Sequence, residues 1–561
     1  MRFNGQRELG YKLADLSNTL SPDLPSSSDK LAVWLEQLPM LNIDQLLHQV
    51  PSYLQELNQF KLADSMRFKM LEMLRPVAKH IYREIIKRFR SEKGLNLSVE
   101  FQEMEWLVNV LLREMALGYQ RLLFNKAAKT PRFYNRSYYA TLNQRVMFYL
   151  GERVAFIYMF HGLIPQAIWH DLNSSYRYAR YLKLSELNVK DDFALEEGQN
   201  STVTTIYKRL VLLSIISPYS LRSAEIEQVY LGLLPLIAKI KFTKEIPENK
   251  NSYMINWEQD QGPLPMVIEH KESKNWFIDT SELITELSSW IVNGQSKYQG
   301  VDQGISVKFL AHIQGMLDGS SVRRNERTPV KGRQVEVIIG LKNIEVFLGH
   351  IEAVKNDQGM TVEELHVDEF TVNHQWNEKV TDGDWDSLVF NPIDKVKPDF
   401  GKHVKEEIVA PERRYYFDVE NESAGGMSLH CNAEQAKGLV IGELILLFGS
   451  DIQTWTLGII RWSTVANKKV YLGVYFLGEQ IDFVNVKKAD SNQITNKVLW
   501  LEGKGCATSL LMPTGKFLPR EVVTTFHDGI ELTLMLQDSI WQNDVFSQFR
   551  FELVNIEKQD L

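Results

Sequence analysis

The dominant hydrophobic period differs between the two ends of this chain, and that difference limits what it can fold into. From Ile43 to about Ile240 apolar residues recur at helical spacing, as in Leu71, Leu74, Val77, Ile81, Ile85 and Phe89. Beyond about residue 411 the period becomes two. Val470, Leu472, Val474 and Phe476 alternate there with Tyr471, Gly473 and Tyr475, the pattern of a half-buried strand. A stripe of period 3.6 cannot lie flat on a sheet, and a period of two cannot face one side of a helix. The chain therefore reads as multidomain α+β, an all-α N-terminal region followed by antiparallel β-structure. Its 561 residues are enough for three or four domains of about 150 residues.

Residues 1–45 contain a Pro/Ser-rich break, Ser21 to Ser28, and read as a loosely ordered N-terminal segment. Residues 46–250 read as a helical domain, with helix-like stretches at Val99–Phe124, Tyr138–Phe160, Pro165–Tyr181, Thr204–Ile216 and Ala224–Ile240. Pro131, Pro165, Pro218 and Pro235 stand at or near breaks, because proline removes a donor and clashes with the preceding turn. Trp169, Leu172 and Tyr176 echo the start of a tetratricopeptide repeat, but Asn173 replaces the small residue and no second copy follows. Lys79, Arg83, Lys87, Arg88 and Arg90 make a basic helix face, either solvated or meeting an acidic partner or membrane surface. Residues 251–318 read as a mixed connector. It has short strands at Tyr253–Trp257 and Pro265–Ile268, a helix Ser281–Val292 capped by Asp279, and a helix Ser306–Leu317 leading to the hinge Asp318-Gly319-Ser320-Ser321.

Two short marks follow the hinge. Arg323, Arg324 and Arg327 put two arginines four apart with a third beside the first. Arginine's planar fork grips phosphate or the O6/N7 edge of guanine bidentately, and its face stacks on a base. Asn421, Ser423, Gly425 and Gly426 form N-x-S-x-G-G between two β-like runs. Glycine lets backbone approach a ligand closely, and Asn421 and Ser423 aim hydrogen bonds into the same space. Together the marks suit an anionic, guanine-bearing ligand.

At these residues the chain resembles the PilZ domain, a small β-barrel that binds the bacterial second messenger cyclic di-GMP. The family's signatures are R-x-x-x-R entering the barrel and D/N-x-S-x-x-G on an early strand. Arg323 and Arg327 match the first, and Asn421, Ser423 and Gly426 match the second. The resemblance covers about 320–350 and 411–480, and implies a PilZ-like barrel at 319–484. Further strands are expected at Val335–Leu341, Tyr415–Val419, Gly426–His430, Val440–Phe448, Trp455–Trp462 and Val470–Phe476. In the family the signatures lie a few tens of residues apart; here nearly a hundred separate them, which makes about 352–411 an acidic insert. Residues 485–561 stay β-like, either extending the barrel or forming a second β-module. The first arginine mark alone has little weight, since Arg132 to Arg136 repeats its spacing inside the helical region.

The net charge of −8 argues against a dedicated nucleic-acid binder, whereas a dianion needs only a local basic patch. Cys431 and Cys506 are too few for a disulfide framework or zinc cluster and read as free thiols. No run reaches the ~18–20 apolar residues of a membrane span and the N-terminus carries no signal peptide, so a cytoplasmic protein is expected. Asp382, Asp384 and Asp386 alternate like a calcium loop, but Ser387 stands where glycine and Ile393 where glutamate would be required. Phosphate-loop, dinucleotide, zinc-protease and serine-hydrolase motifs are not found, so no catalytic residue, metal ligand or cofactor is assigned.

The resemblance thus implies a cytoplasmic cyclic di-GMP effector, not an enzyme. Arg323 and Arg327 would grip guanine or phosphate, Arg324 would help or stack, Asn421 and Ser423 would hydrogen-bond, and Gly425 and Gly426 would give clearance. An unidentified protein partner would meet the helical region. The alternative is a degenerate PilZ-like scaffold that binds no nucleotide.

Overall fold

The computed structural model describes residues 4–90, 99–193, 200–246, 252–266, 274–292, 307–317, 327–358 and 414–558, apart from short breaks at 434, 437–438, 450–451, 490–495, 504–505, 528 and 543–544. Arg323 and Arg324, the hinge at 318–321 and the aspartates of the insert lie outside the described residues.

The N-terminal half is built from helices α1 Gly5–Leu9, α2 Ser28–Glu36, α3 Ile43–Gln59, α4 Asp64–Arg90, α5 Val99–Ala127, α6 Arg136–Met159, α7 Ile168–Tyr181, α8 Val203–Ile215 and α9 Ser223–Gly232. Local chemistry fixes their ends: Asn42 accepts the Gln45 N–H (3.1 Å) to start α3, and Thr202 accepts the Thr205 N–H (3.0 Å) to start α8. The expected run to Ile240 stops at Gly232, and Leu234–Lys239 continues as a 3-10 helix with Pro235 in its first turn. Asn173 is not a failed repeat position. Its buried amide donates to the carbonyls of Gln259 and Gln261 and accepts the Tyr207 hydroxyl, tying α7 to α8 and to the next segment.

Residues 4–45 correct the expectation of a loosely ordered segment. Leu9 and Leu31 are fully buried, the Tyr11 hydroxyl meets Ser175 Oγ (2.5 Å), and Tyr53 donates to the Pro25 carbonyl (2.8 Å). The composition is loop-like, but a few apolar anchors and backbone carbonyls find partners on the larger helices. The connector is also part of the helical body. Beyond the small pair β1 Val189–Lys190 and β2 Asn200–Ser201, a sheet runs β3 Lys241–Thr243, β6 Trp276–Asp279, β4 Tyr253–Ile255, β5 Leu264–Pro265. It is followed by α10 Ser281–Val292, whose Ser281 N–H is accepted by Asp279 (3.0 Å), and by α11 Val307–Leu317. One apolar cluster joins Leu9 to Leu317, so no core boundary falls at residue 250.

The second half holds two closed six-stranded barrels. The first comprises β8 Gln334–Ile339, β9 Arg414–Ser423, β10 Gly426–Asn432, β11 Leu444–Gly449, β12 Ile452–Ala466 and β13 Lys469–Gly478. Its order around the ring is β8-β9-β10-β13-β12-β11, and the short β7 Thr328–Pro329 pairs on β9 beyond the end of β8. Val470, Leu472 and Val474 point inward, as the period-two reading requires. Asn467 and Lys468, both at positive φ, form the two-residue turn between β12 and β13. The expected strand Val335–Leu341 ends at Ile339, because Leu341 begins α12 Leu341–Gln358. The start of the expected insert is therefore helical up to Gln358.

The second barrel comprises β14 Gln480–Lys488, β15 Asn496–Gly503, β16 Cys506–Pro513, β17 Val522–His527, β18 Ile530–Gln542 and β19 Phe546–Lys558. Its ring order, β14-β15-β16-β19-β18-β17, repeats that of the first strand for strand. The C-terminal residues thus form a module of their own rather than an extension. A cluster containing Ile338, Phe347, Leu446, Leu457, Leu499, Leu501 and Phe546 fills the space between the barrels and α12. No helix is long and apolar enough to cross a membrane among the described residues.

Candidate ligand site

The β9–β10 hairpin brings the second sequence mark together. Ser423 pairs with Gly426 across the turn and Asn421 pairs with Ser428. The Ser423 hydroxyl donates to the Gly426 carbonyl (3.2 Å), and the Gly425 carbonyl accepts the Phe476 N–H (3.0 Å), which pins the turn to β13. A Cβ on Gly426 would lie 2.1 Å from the Val474 carbonyl oxygen, so only glycine allows β10 and β13 to approach this closely.

The pairing of β7 on β9 closes the long gap in sequence between the two marks. Thr328 pairs with Glu422, Pro329 pairs with Asn421, and the Val330 N–H reaches the Glu420 carbonyl (2.9 Å). Arg327 consequently stands beside the hairpin and its Nη1 donates to Asn421 Oδ1 (3.0 Å). Of the seven residues singled out in sequence, Arg327, Asn421, Ser423, Gly425 and Gly426 share this corner of the barrel; Arg323 and Arg324 lie outside the described residues.

Register extends the outer surface beyond those residues. Asn421 aligns with Ser428, Ser428 with Gly473 and Gly473 with Trp462, while Ser423 aligns with Gly426 and Gly426 with Tyr475. A Cβ on Gly473 would fall 1.8 Å from Trp462 Nε1, so the indole lies flat across β13 where that side chain is missing. The result is a polar row ending in an aromatic plate, with Tyr475 half exposed beside it. Ser428, Trp462, Gly473 and Tyr475 were not singled out from the sequence. The outward parity of β10, β12 and β13 would have identified them once the strand register was known.

A bulge at Arg461, between the pairs Ile460↔Val474 and Trp462↔Gly473, turns Trp462 to this face. Burial disfavours the charged form of Arg461 and lowers its pKa, against the opposing pull of Tyr475. Burial likewise lowers His312 of α11, helped by the Arg461 charge.

The next residues of β12 meet the helical body. His161 Nδ1 lies 3.1 Å from Ser463 Oγ and 3.2 Å from the Ser463 carbonyl, the Val465 N–H reaches the His161 carbonyl (2.8 Å), and Gly162 bridges Val465 in parallel. Burial pushes His161 down to about 4, so it is neutral at physiological pH. Tyr219 donates to the Gly162 carbonyl and Arg222 to the Ile441 carbonyl, which close the same seam.

A barrel of this order, entered by an arginine that meets N-x-S-x-x-G at a hairpin, is that of a PilZ domain, and this part of the chain belongs to that family. Residues 252–481 match the family model described as "Cyclic-di-GMP receptor FimW, middle PilZ domain". Residues 29–247 match "Cyclic-di-GMP receptor FimW, N-terminal domain". Over 469 residues the chain is 21% identical to the "Cyclic-di-GMP receptor FimW" of Pseudomonas aeruginosa, covering 79% of this chain and 75% of that protein. No solved structure matches. The second barrel lies almost wholly beyond both matched regions. Counted from the closing pair Gly503↔Cys506, it carries Leu501, Gly503 and Cys506 where the first carries Asn421, Ser423 and Gly426. Leu501 is fully buried between the barrels, so the corresponding face of the second barrel is used for packing.

Proposed function

We propose that the chain is a cyclic di-GMP-binding effector whose first barrel senses the messenger and whose helical region passes the result to a protein partner. The observation that carries this reading is the meeting of Arg327 with Asn421 beside the Ser428–Gly473–Trp462 row. A dianion with two guanines asks for a guanidinium fork, short polar hydrogen-bonding groups, close backbone approach and a plate for stacking. In this reading Arg327 turns from Asn421 to the ligand, Arg323 grips guanine or phosphate with it, and Arg324 helps or stacks. Asn421, Ser423 and Ser428 hydrogen-bond to it, Gly425 and Gly426 give it clearance, and Trp462 stacks on a base. The loss of Asn421, Ser423 and Gly426 equivalents in the second barrel supports one sensing barrel, not two. Coupling to the helical region would run along β12, where Trp462 of the ligand face is adjacent to Ser463 of the His161 seam.

Calorimetric titration tests the binding itself. The full chain should take up cyclic di-GMP in the presence of GTP. Arg327→Ala should weaken binding about ten- to hundredfold, the worth of one bidentate arginine contact. Arg132→Ala, which alters only the second R-x-x-x-R, should leave affinity unchanged. Unaltered affinity in both Arg327→Ala and Asn421→Ala, or no uptake at all, would favour the scaffold alternative.

A further inference from the structure

The helical hairpin of α5 and α6 ends in a basic, aromatic tip. Between Glu114 and Glu152 the sequence has no carboxylate, while Arg121, Lys126, Lys129, Arg132, Arg136 and Arg145 all fall there. The turn joining the two helices is the 3-10 segment Phe133–Asn135. Phe133 is 94% exposed and Tyr134 76% exposed, adjacent rings at the end of two long helices. Arg136 Nη2 donates to the Lys183 carbonyl (2.7 Å), which brings Lys183 and the 63%-exposed Tyr181 of the α7 end to the same tip.

The charge here differs from that of the other basic face. On α4, Lys87 pairs with Glu84, Arg88 with Asp44 and Arg90 with Glu227, so three of the five cations of that face are neutralised within the molecule. Lys126 is likewise held by Asp64. Lys129, Arg132, Arg136 and Lys183 have no carboxylate partner among the described residues. Four uncompensated cations around two protruding rings, in a chain of net charge −8, are complementary to an anionic surface.

We propose that this tip docks on an anionic lipid bilayer, with Phe133 and Tyr134 entering the headgroup layer while Lys129, Arg132, Arg136 and Lys183 lie against lipid phosphates. A convex wedge favours a deformable layer over a protein groove, which would have to be preshaped around both rings. Phenylalanine and tyrosine suit the depth where apolar chains give way to headgroups, and long cationic side chains extend back toward the surface. Binding of this kind is reversible and salt-sensitive, since screening at physiological ionic strength acts over about 8 Å. The inference does not depend on the ligand reading of the barrel.

Sedimentation of the full chain with vesicles tests it, using phosphatidylcholine with and without phosphatidylglycerol. The chain should partition to the anionic vesicles only, and added salt should release it. Phe133→Ser with Tyr134→Ser should reduce partitioning roughly tenfold or more, and Lys129→Gln or Arg132→Gln about fivefold each. These side chains are exposed, so melting curves should match wild type and confirm that folding is intact. Equal partitioning of the folded variants, or no preference for anionic vesicles, overturns the proposal. Concentration-dependent self-association that vanishes in the Phe133/Tyr134 variant would instead assign the tip to a second copy, and would also overturn it.

Discussion

Asp191→Ala should destabilise the helical region by about 3–5 kcal/mol, the usual result of stripping one partner from a buried ion network. The Asp191 carboxyl is fully buried. It accepts Arg75 Nη2 at 2.6 Å, Arg145 Nη1 at 3.0 Å, Gln144 Nε2 at 2.9 Å and the Phe193 N–H at 3.0 Å. Arg75 and Arg145 are themselves only 4% and 5% exposed. Without Asp191 they retain Glu72, which is 30% exposed and also accepts the Tyr119 hydroxyl. Two guanidiniums would then share one carboxylate. Burial alone would raise the pKa of Asp191, but Arg75 and Arg145 outweigh it and leave it lowered. A carboxyl held below its unfolded value of about 3.9 contributes stability that is complete above that pH and lost as pH falls below it. Denaturant unfolding at neutral pH measures the loss directly. A change under ~1 kcal/mol would mean the network contributes little to stability.

The second large effect is expected at Gly426→Val. The added Cβ meets the Val474 carbonyl oxygen at 2.1 Å and the Tyr475 Cα at 3.2 Å, both backbone atoms that cannot move aside alone. The β10–β13 seam must open, which displaces the Ser423 turn and separates Asn421 from the Gly473–Trp462 plate. Ligand affinity should fall at least about a hundredfold, and stability by roughly 1–3 kcal/mol or more from overpacking. Gly349→Ala is the matched control: nothing lies within 4 Å of its Cβ, and α12 should gain up to ~1 kcal/mol from the better helix former. Cyclic di-GMP binding by a folded Gly426→Val variant at wild-type affinity would remove the hairpin from the site.

How much of this was legible in the sequence follows from the range of the interactions involved. Long helices announce themselves because many residues repeat one period, and α5 and α6 were placed within a few residues. The packing of residues 4–45 was not legible, because it rests on isolated anchors such as Leu9 and Leu31 whose partners are far away in sequence. The connector has the same explanation: Ile255, Ile278 and Leu283 join the helical core only after β3 pairs with β6. Within the site, Asn421, Ser423 and Gly426 carry a local signature, but Ser428, Trp462 and Tyr475 gain meaning only through strand register. The β12 bulge that sets Trp462 on the ligand face left no local mark, since Arg461 is unremarkable in a strand.

Hydrogen exchange of the full chain with and without cyclic di-GMP tests the central claim most directly, that one strand joins the ligand face to the helical body. Protection should rise at 421–430 and 473–476, the proposed ligand site. It should also change at 463–465 and at 159–162, across the His161–Ser463 seam. Ligand-induced changes confined to 421–430 would contradict transmission through β12, and no change anywhere in the first barrel would contradict the site itself.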